Sequence, residues 1–491
     1  MSDKNYCRME HYFAGLNEEQ AQAVAASPDR PLLIVAGAGT GKTKTLTTRI
    51  ANFIRQGIPA SAIFAVTFTN KAAKEMRDRL QFLLPGGKLN EKQPATIGTF
   101  HSLGARILRE NARLVGRTPK FVIYDSSDSF SIIKKISKEL KLKSASRLAD
   151  CIGLRKRTGA ICQHPGCNEG FVRYEQTLLN NDAADFDDLI LQPVTILREH
   201  THLKERYRAR YQYFFVDEYQ DINAEQYELL KLLAGETASI TAVGDDQQTI
   251  YSWRGSDFSY FLEFERSWPN AQILILTKNY RSGRNILGAA NSIIRNNGQQ
   301  IIKELVAARG NTGQVVVREF YSEDEEATNI VESVAARIAK NEDPSEIAIL
   351  YRTNAQSRPL EQAFLERGLP YILWGGLAFY ERREIKDILA AVRLAHNPKD
   401  LTAQERLEKN LGKRRFFAAR TALEQLAQPT PDNLIGEFLR VTNYLDIVQS
   451  SMSNSMERLE NISELRRFAA EFTNPQDFLE RTALLQATDR G

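Results

Sequence analysis

An apolar run, Leu32-Leu-Ile-Val-Ala36, leads without a break into Gly37-Ala-Gly-Thr-Gly-Lys42-Thr43 and then into a helical pattern. No other feature constrains the chain as much, because a buried strand, a glycine-rich turn and a helix N-terminus together ring a pyrophosphate-sized anion with backbone N–H groups. The small residues Ala36, Gly37, Ala38, Gly39, Thr40 and Gly41 let the backbone curl. Lys42 would reach the β and γ phosphates of a nucleotide, and the Thr43 hydroxyl would sit on Mg²⁺. The pattern normally opens on Gly and here opens on Ala36, a change between two tiny residues. The competing reading is a merely structural turn, which the flanking strand and helix disfavour.

A phosphate loop needs a second metal-binding carboxylate at the end of a neighbouring strand. Phe214-Phe-Val-Asp217-Glu218 supplies it, 175 residues beyond Lys42. Asp217 would hold Mg²⁺ through its water shell, and Glu218 would orient or deprotonate the attacking water. The alternative, an acidic pair capping the next helix, is weakened by the apolar run before it.

Around these motifs, Leu32–Ala36, Ile63–Thr67, Tyr213–Val216, Ser239–Val243 and Ile273–Leu276 read as strands separated by helical stretches, the rhythm of a parallel sheet. Gln314–Phe320 and Glu346–Tyr351 read as strands of a second α/β unit, with an amphipathic helix from Glu323 to Ala339 between them. Between Ser131 and Ala160 the chain turns helical and basic, with nine Lys or Arg against two acids. From Glu381 onward it reads as helices.

At 491 residues and roughly 100 to 200 per domain, about three or four domains are expected. The 42% hydrophobic and 26% charged composition is that of an ordinary globular chain, and a net charge of +4 is too small to announce a polyanion partner by itself. Met1–Glu10 lacks an apolar signal core, no apolar stretch approaches about 18 residues, and four cysteines are too few for a disulfide scaffold. Together these point to the cytoplasm.

The loop Val243-Gly-Asp-Asp-Gln-Gln-Thr-Ile-Tyr-Ser-Trp-Arg-Gly255 mixes amide, aromatic and cationic groups. Gln248 suits sensing of a γ phosphate. Tyr251 and Trp253 offer faces on which a base can stack, with Arg254 for a backbone phosphate. Packing of that aromatic pair into the core is the open alternative.

At this point the chain resembles the UvrD/Rep/PcrA-type superfamily 1 DNA helicases. Leu16-Asn-Glu-Glu-Gln20 is similar to the family's glutamine motif, and the resemblance implies that Gln20 reads adenine. Thr67-Phe68-Thr-Asn70-Lys71 and Gly98-Thr-Phe-His101 resemble its strand-contacting motifs, while Asp185-Phe186-Asp-Asp-Leu189 and Asp217-Glu-Tyr-Gln220-Asp221 match two further signatures. Leu276-Thr-Lys-Asn-Tyr280-Arg281-Ser282 resembles the motif opening the second motor domain, which implies adenine stacking by Tyr280 and an arginine finger at Arg281. Thr277 and Lys278 depart from the family pattern and receive no role. Tyr351-Arg352-Thr-Asn354 implies DNA contacts by Arg352 and Asn354.

The resemblance therefore implies an α/β fold: P-loop, RecA-like parallel-sheet motor domains, the second incomplete, with two mainly helical accessory subdomains. Residues 1–110 and 185–276 would form the first motor domain, 111–184 an inserted helical subdomain, 277–377 the N-terminal part of the second motor domain, and 378–491 a second helical subdomain. It implies ATP and Mg²⁺ as cofactors and 3′–5′ translocation on single-stranded DNA. Single/double-strand junctions and repair or replication proteins are the implied partners. The family's later Gly-Leu-Glu-Phe-like and Thr-Arg-Ala segments do not occur in these residues, so the second motor domain is expected to lack its last strands. Rival readings are a hydrolysis-incompetent DNA-binding or regulatory fragment, the motor part of a helicase-nuclease, and a P-loop enzyme acting on a small molecule.

Two features remain open. The basic run Lys134, Lys135, Lys138, Lys141, Lys143, Arg147, Arg155, Lys156 and Arg157 suits phosphate contacts or a solvated face. Cys151, Cys162, His164 and Cys167 carry ligands for Zn²⁺ at a spacing outside the usual zinc patterns, against which stands a scatter of unrelated thiols.

Overall fold

A computed structural model of the chain describes residues 15–84, 94–235, 238–251, 255–310, 313–373, 379–427, 429–451 and 455–489. Its centre is a six-stranded parallel sheet: β1 (Leu32–Ala36), β2 (Ile63–Thr67), β3 (Thr96–Thr99), β6 (Tyr213–Val216), β7 (Ser239–Gly244) and β8 (Gln272–Leu276), in the order β3-β2-β6-β7-β1-β8. The register runs Leu32 opposite Thr241 and Gln272, and Phe64 opposite Thr96 and Phe214. Every residue of β1 and β2 is buried because helices cover both faces. Leu33, Val35, Phe64, Val66 and Phe214 fill one core with helices Phe100–Glu110, Asp188–Glu199 and Ala224–Ala234. Leu32, Ile34, Ile63, Ala65 and Phe215 fill the other with helices Lys42–Arg55 and Asn70–Leu83. This two-sided burial is why these strands read as continuous apolar runs rather than alternating ones.

Inserted between the helix Phe100–Glu110 and β6 are β4 (Val122–Ile123) and β5 (Ala183–Ala184), which pair in parallel and bracket three helices, Ser126–Glu139, Ala145–Thr158 and Cys167–Asn180. The helices from Arg383 to Asp489 pack against this insertion and the sheet domain. Arg109 meets Glu480 at 2.9 Å, Tyr124 donates to Asp400 at 2.6 Å, and Lys386 meets Asp125 at 3.2 Å. Residues up to Gly313, with Tyr380–Asp489, form one compact unit; Gln314–Phe379 form a second.

One expectation changes. The second unit contains the helix Glu323–Ile338 packed on Ser357–Arg367 through Val331, Val334 and Phe364, but Gln314–Phe320 and Glu346–Tyr351 enter no ladder among the described residues. Val317 is 92% and Leu350 94% exposed, while Ile347 and Ile349 pack against the Val331–Phe364 cluster. Residues 278–307 fall within the first compact unit, where β9 (Lys278–Asn279) pairs with β10 (Val306–Ala307).

Candidate active site

Because the six strands are parallel, the loops after β1, β2, β3, β6 and β7 leave from one edge of the sheet, and Lys42, Phe68, His101, Asp217 and Gln248 follow those strands. After β1 the chain turns through Gly39 and Gly41, both at positive φ (+72° and +87°), into the helix Lys42–Arg55. That helix has no side-chain N-cap and no acid in its first turn, so its first N–H groups are left for an anion. Gly39 is required for a second reason: a Cβ there would lie 2.6 Å from the Cβ of Arg281.

The turn bearing Tyr280 and Arg281 sits directly on this loop. Asn279, buried, donates from Nδ2 to the Ala38 carbonyl and accepts at Oδ1 from the N–H groups of Arg281 (2.9 Å) and Ser282 (2.8 Å). The Tyr280 N–H donates to the Gly39 carbonyl at 2.9 Å, and its hydroxyl accepts from Asn17 Nδ2 at 3.0 Å. Both Tyr280 and Arg281 remain exposed. Thr277, left without a role from sequence, donates from its N–H and hydroxyl to the Glu19 carboxylate at 2.8 and 2.6 Å.

Gln20 is buried and largely committed within the fold. Its Nε2 donates to the Thr40 carbonyl at 2.7 Å, and its Oε1 accepts from the Asn17 N–H at 3.1 Å in a capping box. One N–H and one lone pair are what the amide retains for a base edge. Through Thr40 it braces the phosphate loop.

Lys42 Nζ lies 2.9 Å from Glu218 Oε2. Glu218 adopts φ 50°, a left-handed conformation that costs a non-glycine residue on the order of 1–3 kcal/mol and is retained where the surroundings enforce it. Asp217 beside it is buried, and burial, then the neighbouring Glu218 charge, push its carboxyl up to about 7. Asp221 is pushed up to about 7 by the same two causes in the same order. Buried carboxylates near the phosphate loop and short of positive charge fit a divalent cation, so the donor set Thr43 and Asp217 suits Mg²⁺. The raised values make a prediction. With folded values above the ordinary 3.8, the protonated forms favour folding, so stability falls as pH rises from about 4 through about 7. Asp217→Asn is expected to flatten that decline in a thermal-melt series across pH.

Gln220, quoted within a motif but given no role from sequence, joins the two halves of the site. Its Nε2 donates to Glu218 Oε2 at 2.9 Å and to Asp221 Oδ2 at 3.1 Å, while its Oε1 accepts from the Asp245 N–H at 3.0 Å. Gly244 permits this, since a Cβ there would lie 2.3 Å from Gln220 Oε1. In the loop after β7, Gln248 Nε2 donates to Asp245 Oδ2 at 2.6 Å. Lys303, whose side chain is fully buried, meets Asp245 at 2.9 Å and Asp246 at 2.5 Å. Sequence gave no signal for Lys303.

Phe68 and Tyr251, from the loops after β2 and β7, stack with ring centroids 4.7 Å apart and planes 26° apart. Asn70 is buried beside this loop with Nδ2 unpartnered, and Lys71 is exposed. His101 meets Phe186 edge to face at 6.0 Å. Trp253 and Arg254 lie outside the described residues, as does the Asn354 side chain. Arg352 is exposed in the second unit, with its N–H donating to Gln356 Oε1 at 3.0 Å.

The basic run is corrected in part. The Lys156 side chain is 4% exposed and lies 3.0, 2.7 and 2.8 Å from Glu175, Asp185 and Asp188, so it holds the fold rather than facing a phosphate backbone. Arg157 pairs with Asp187 and Lys135 with Glu405 at the surface.

A parallel sheet carrying a phosphate loop, an adjacent Asp-Glu pair and an arginine turn at one edge defines a P-loop NTPase of RecA-like architecture. Residues 16–269 match the UvrD/REP helicase N-terminal domain and residues 274–431 the UvrD-like helicase C-terminal domain. The chain is 37% identical to the ATP-dependent DNA helicase PcrA of Bacillus subtilis, over 96% of its own length and 64% of the relative's. It is 35% identical to PcrA of Staphylococcus epidermidis, over 97% and 68%, and 34% identical to PcrA of Staphylococcus aureus over the same shares. The chain belongs to the UvrD/Rep helicase family. It spans about two thirds of the length of these relatives. Among the described residues, no helix is long and apolar enough to cross a membrane.

Proposed function

We propose that this chain is an ATP-driven DNA translocase, hydrolysing ATP at the edge of the sheet and moving 3′–5′ along single-stranded DNA. The reading is carried by one observation: Gln220 hydrogen-bonds both Glu218, which is paired with Lys42, and the Asp245 loop that leads to Tyr251 and its partner Phe68. A change at the phosphates thereby reaches the surface on which a base would stack.

In this mechanism the N–H groups of the phosphate loop and Lys42 bind the β and γ phosphates, with Tyr280 against adenine. Mg²⁺, held by Thr43 and Asp217, would neutralise phosphate charge. Glu218, freed from Lys42 as the phosphates take over that lysine, orients the attacking water and accepts its proton. Arg281 stabilises charge developing on the γ phosphoryl group, and Gln248 senses its presence. Phe68, Tyr251 and Trp253 stack bases, while Asn70, Lys71, His101, Phe186, Arg254, Arg352 and Asn354 contact the strand. Single/double-strand junctions are the expected substrate.

Steady-state ATP hydrolysis by these 491 residues, with and without oligo-dT, tests the reading. Stimulation by DNA supports it. DNA binding without hydrolysis would instead support a hydrolysis-incompetent fragment, a reading favoured by the unpaired segments Gln314–Phe320 and Glu346–Tyr351. Phe68→Ala is expected to weaken oligo-dT binding by about 1–3 kcal/mol, with the salt slope unchanged, in fluorescence anisotropy titrations.

A further inference from the structure

Three thiols that are far apart by the usual zinc spacings meet at one point of the inserted subdomain. Cys151 projects from the helix Ala145–Thr158, Cys167 is the first residue of the helix Cys167–Asn180, and Cys162 lies in the loop between them. Cys151 Sγ is 2.7 Å from Cys162 Sγ and 2.9 Å from Cys167 Sγ, and all three sulfurs lie within 4.8 Å of one another. We propose that Cys151, Cys162 and Cys167 form a structural zinc site that fastens this loop to its two helices.

Three arguments carry the assignment beyond proximity. A disulfide joins two sulfurs and leaves a third with no reason to be there, whereas a metal ion draws three to a common centre. The sulfurs are closer than ordinary nonbonded contact, roughly 3.5–4.0 Å between heavy atoms, yet beyond a bond of about 2.05 Å. Seating them on Zn²⁺ at about 2.3 Å requires them to part by only about an ångström.

The second argument is that groups able to offset thiolate charge lie beside two of the sulfurs. The N–H of His164 donates to the Cys162 sulfur, Cys167 sits at a helix N-terminus, and Arg147 faces both Cys162 and Cys167. Three thiolates on Zn²⁺ carry a net charge of −1, which Arg147 offsets. The loop can turn so tightly because Gly166 has φ +79°.

The third is the choice of metal. An all-sulfur set with no carboxylate or imidazole in the group selects a soft, tetrahedral ion, and zinc is the common one. His164, considered from sequence as a ligand, is exposed and outside the group, so among the described residues the protein supplies three ligands.

The test is metal content and a spectroscopic signature on the full chain. Protein purified under reducing conditions is expected to carry stoichiometric zinc by mass spectrometry of the metal. Replacement by Co²⁺ should give the visible bands of a tetrahedral thiolate site and a thiolate-to-cobalt charge-transfer band in the near ultraviolet. Cys162→Ser, chosen because Cys162 is less buried than its neighbours, should lose the metal and the bands while retaining the wild-type circular dichroism spectrum. The proposal is overturned if reduced wild-type protein binds neither Zn²⁺ nor Co²⁺. It is equally overturned by a coloured, iron-bearing protein, or by a Cys151–Cys162 or Cys151–Cys167 disulfide that persists when zinc is supplied under reductant.

Discussion

Lys42→Ala is expected to lower kcat for DNA-stimulated ATP hydrolysis by about 10³-fold or more, with oligo-dT binding retained. The lysine is held where it is needed before any nucleotide arrives, 2.9 Å from Glu218 and with a side chain only 10% exposed. Removing it withdraws the positive charge from the phosphate cradle and leaves Glu218 without its cation in a partly buried site. Phe68 and Tyr251, on other loops, are untouched, so single-strand affinity serves as the internal control. Hydrolysis that survives the substitution would place the chemistry elsewhere and sink the mechanism. An equal loss of hydrolysis and of DNA binding would mean that the variant had misfolded, which a thermal melt would reveal.

Lys303→Met has the largest expected effect on stability, a loss of about 3–5 kcal/mol. Its ammonium group is fully buried between Asp245 and Asp246, and the Asp246 carboxylate also accepts the Ile301 N–H at 2.8 Å. Methionine fills the volume but abandons two buried carboxylates. Adding Asp246→Asn should recover part of the loss, because one of the stranded charges is then gone; a double-mutant cycle in urea measures the coupling. Strict additivity of the two substitutions would show that the charges do not interact. Since Asp245 also meets Gln220 and Gln248, the single variant should blunt DNA stimulation of hydrolysis more than basal hydrolysis.

The sheet domain was legible in sequence because its strands are buried on both faces: Leu32–Ala36 and Ile63–Thr67 are buried at every position, which leaves nearly continuous apolar runs. Strand Thr96–Thr99 was missed because Thr-Ile-Gly-Thr offers a single large apolar side chain. The segments Gln314–Phe320 and Glu346–Tyr351 failed in the opposite sense. Apolar content gives a segment the capacity to pair, but a strand also needs a neighbour. Lys156 looked like a phosphate ligand because counting charge along the chain cannot see that Glu175, Asp185 and Asp188 fold onto it. The phosphate loop and the Asp217-Glu218 pair could be read because their chemistry is local. Lys303 and the link from Gln220 to Asp245 could not, because those contacts cross 57 and 25 residues of sequence.

Gln220 has a consequence for how information can move. A carboxamide is not symmetric: one end only donates and the other only accepts, and here the donor end faces Glu218 while the acceptor end faces the Asp245 N–H. The side chain therefore links the two groups with a defined polarity. If Glu218 moves with the amide still bonded to it, the oxygen is drawn off Asp245. If Asp245 moves first, the nitrogen is drawn off Glu218 in turn. Reciprocity between the two ends follows from the geometry of one planar group.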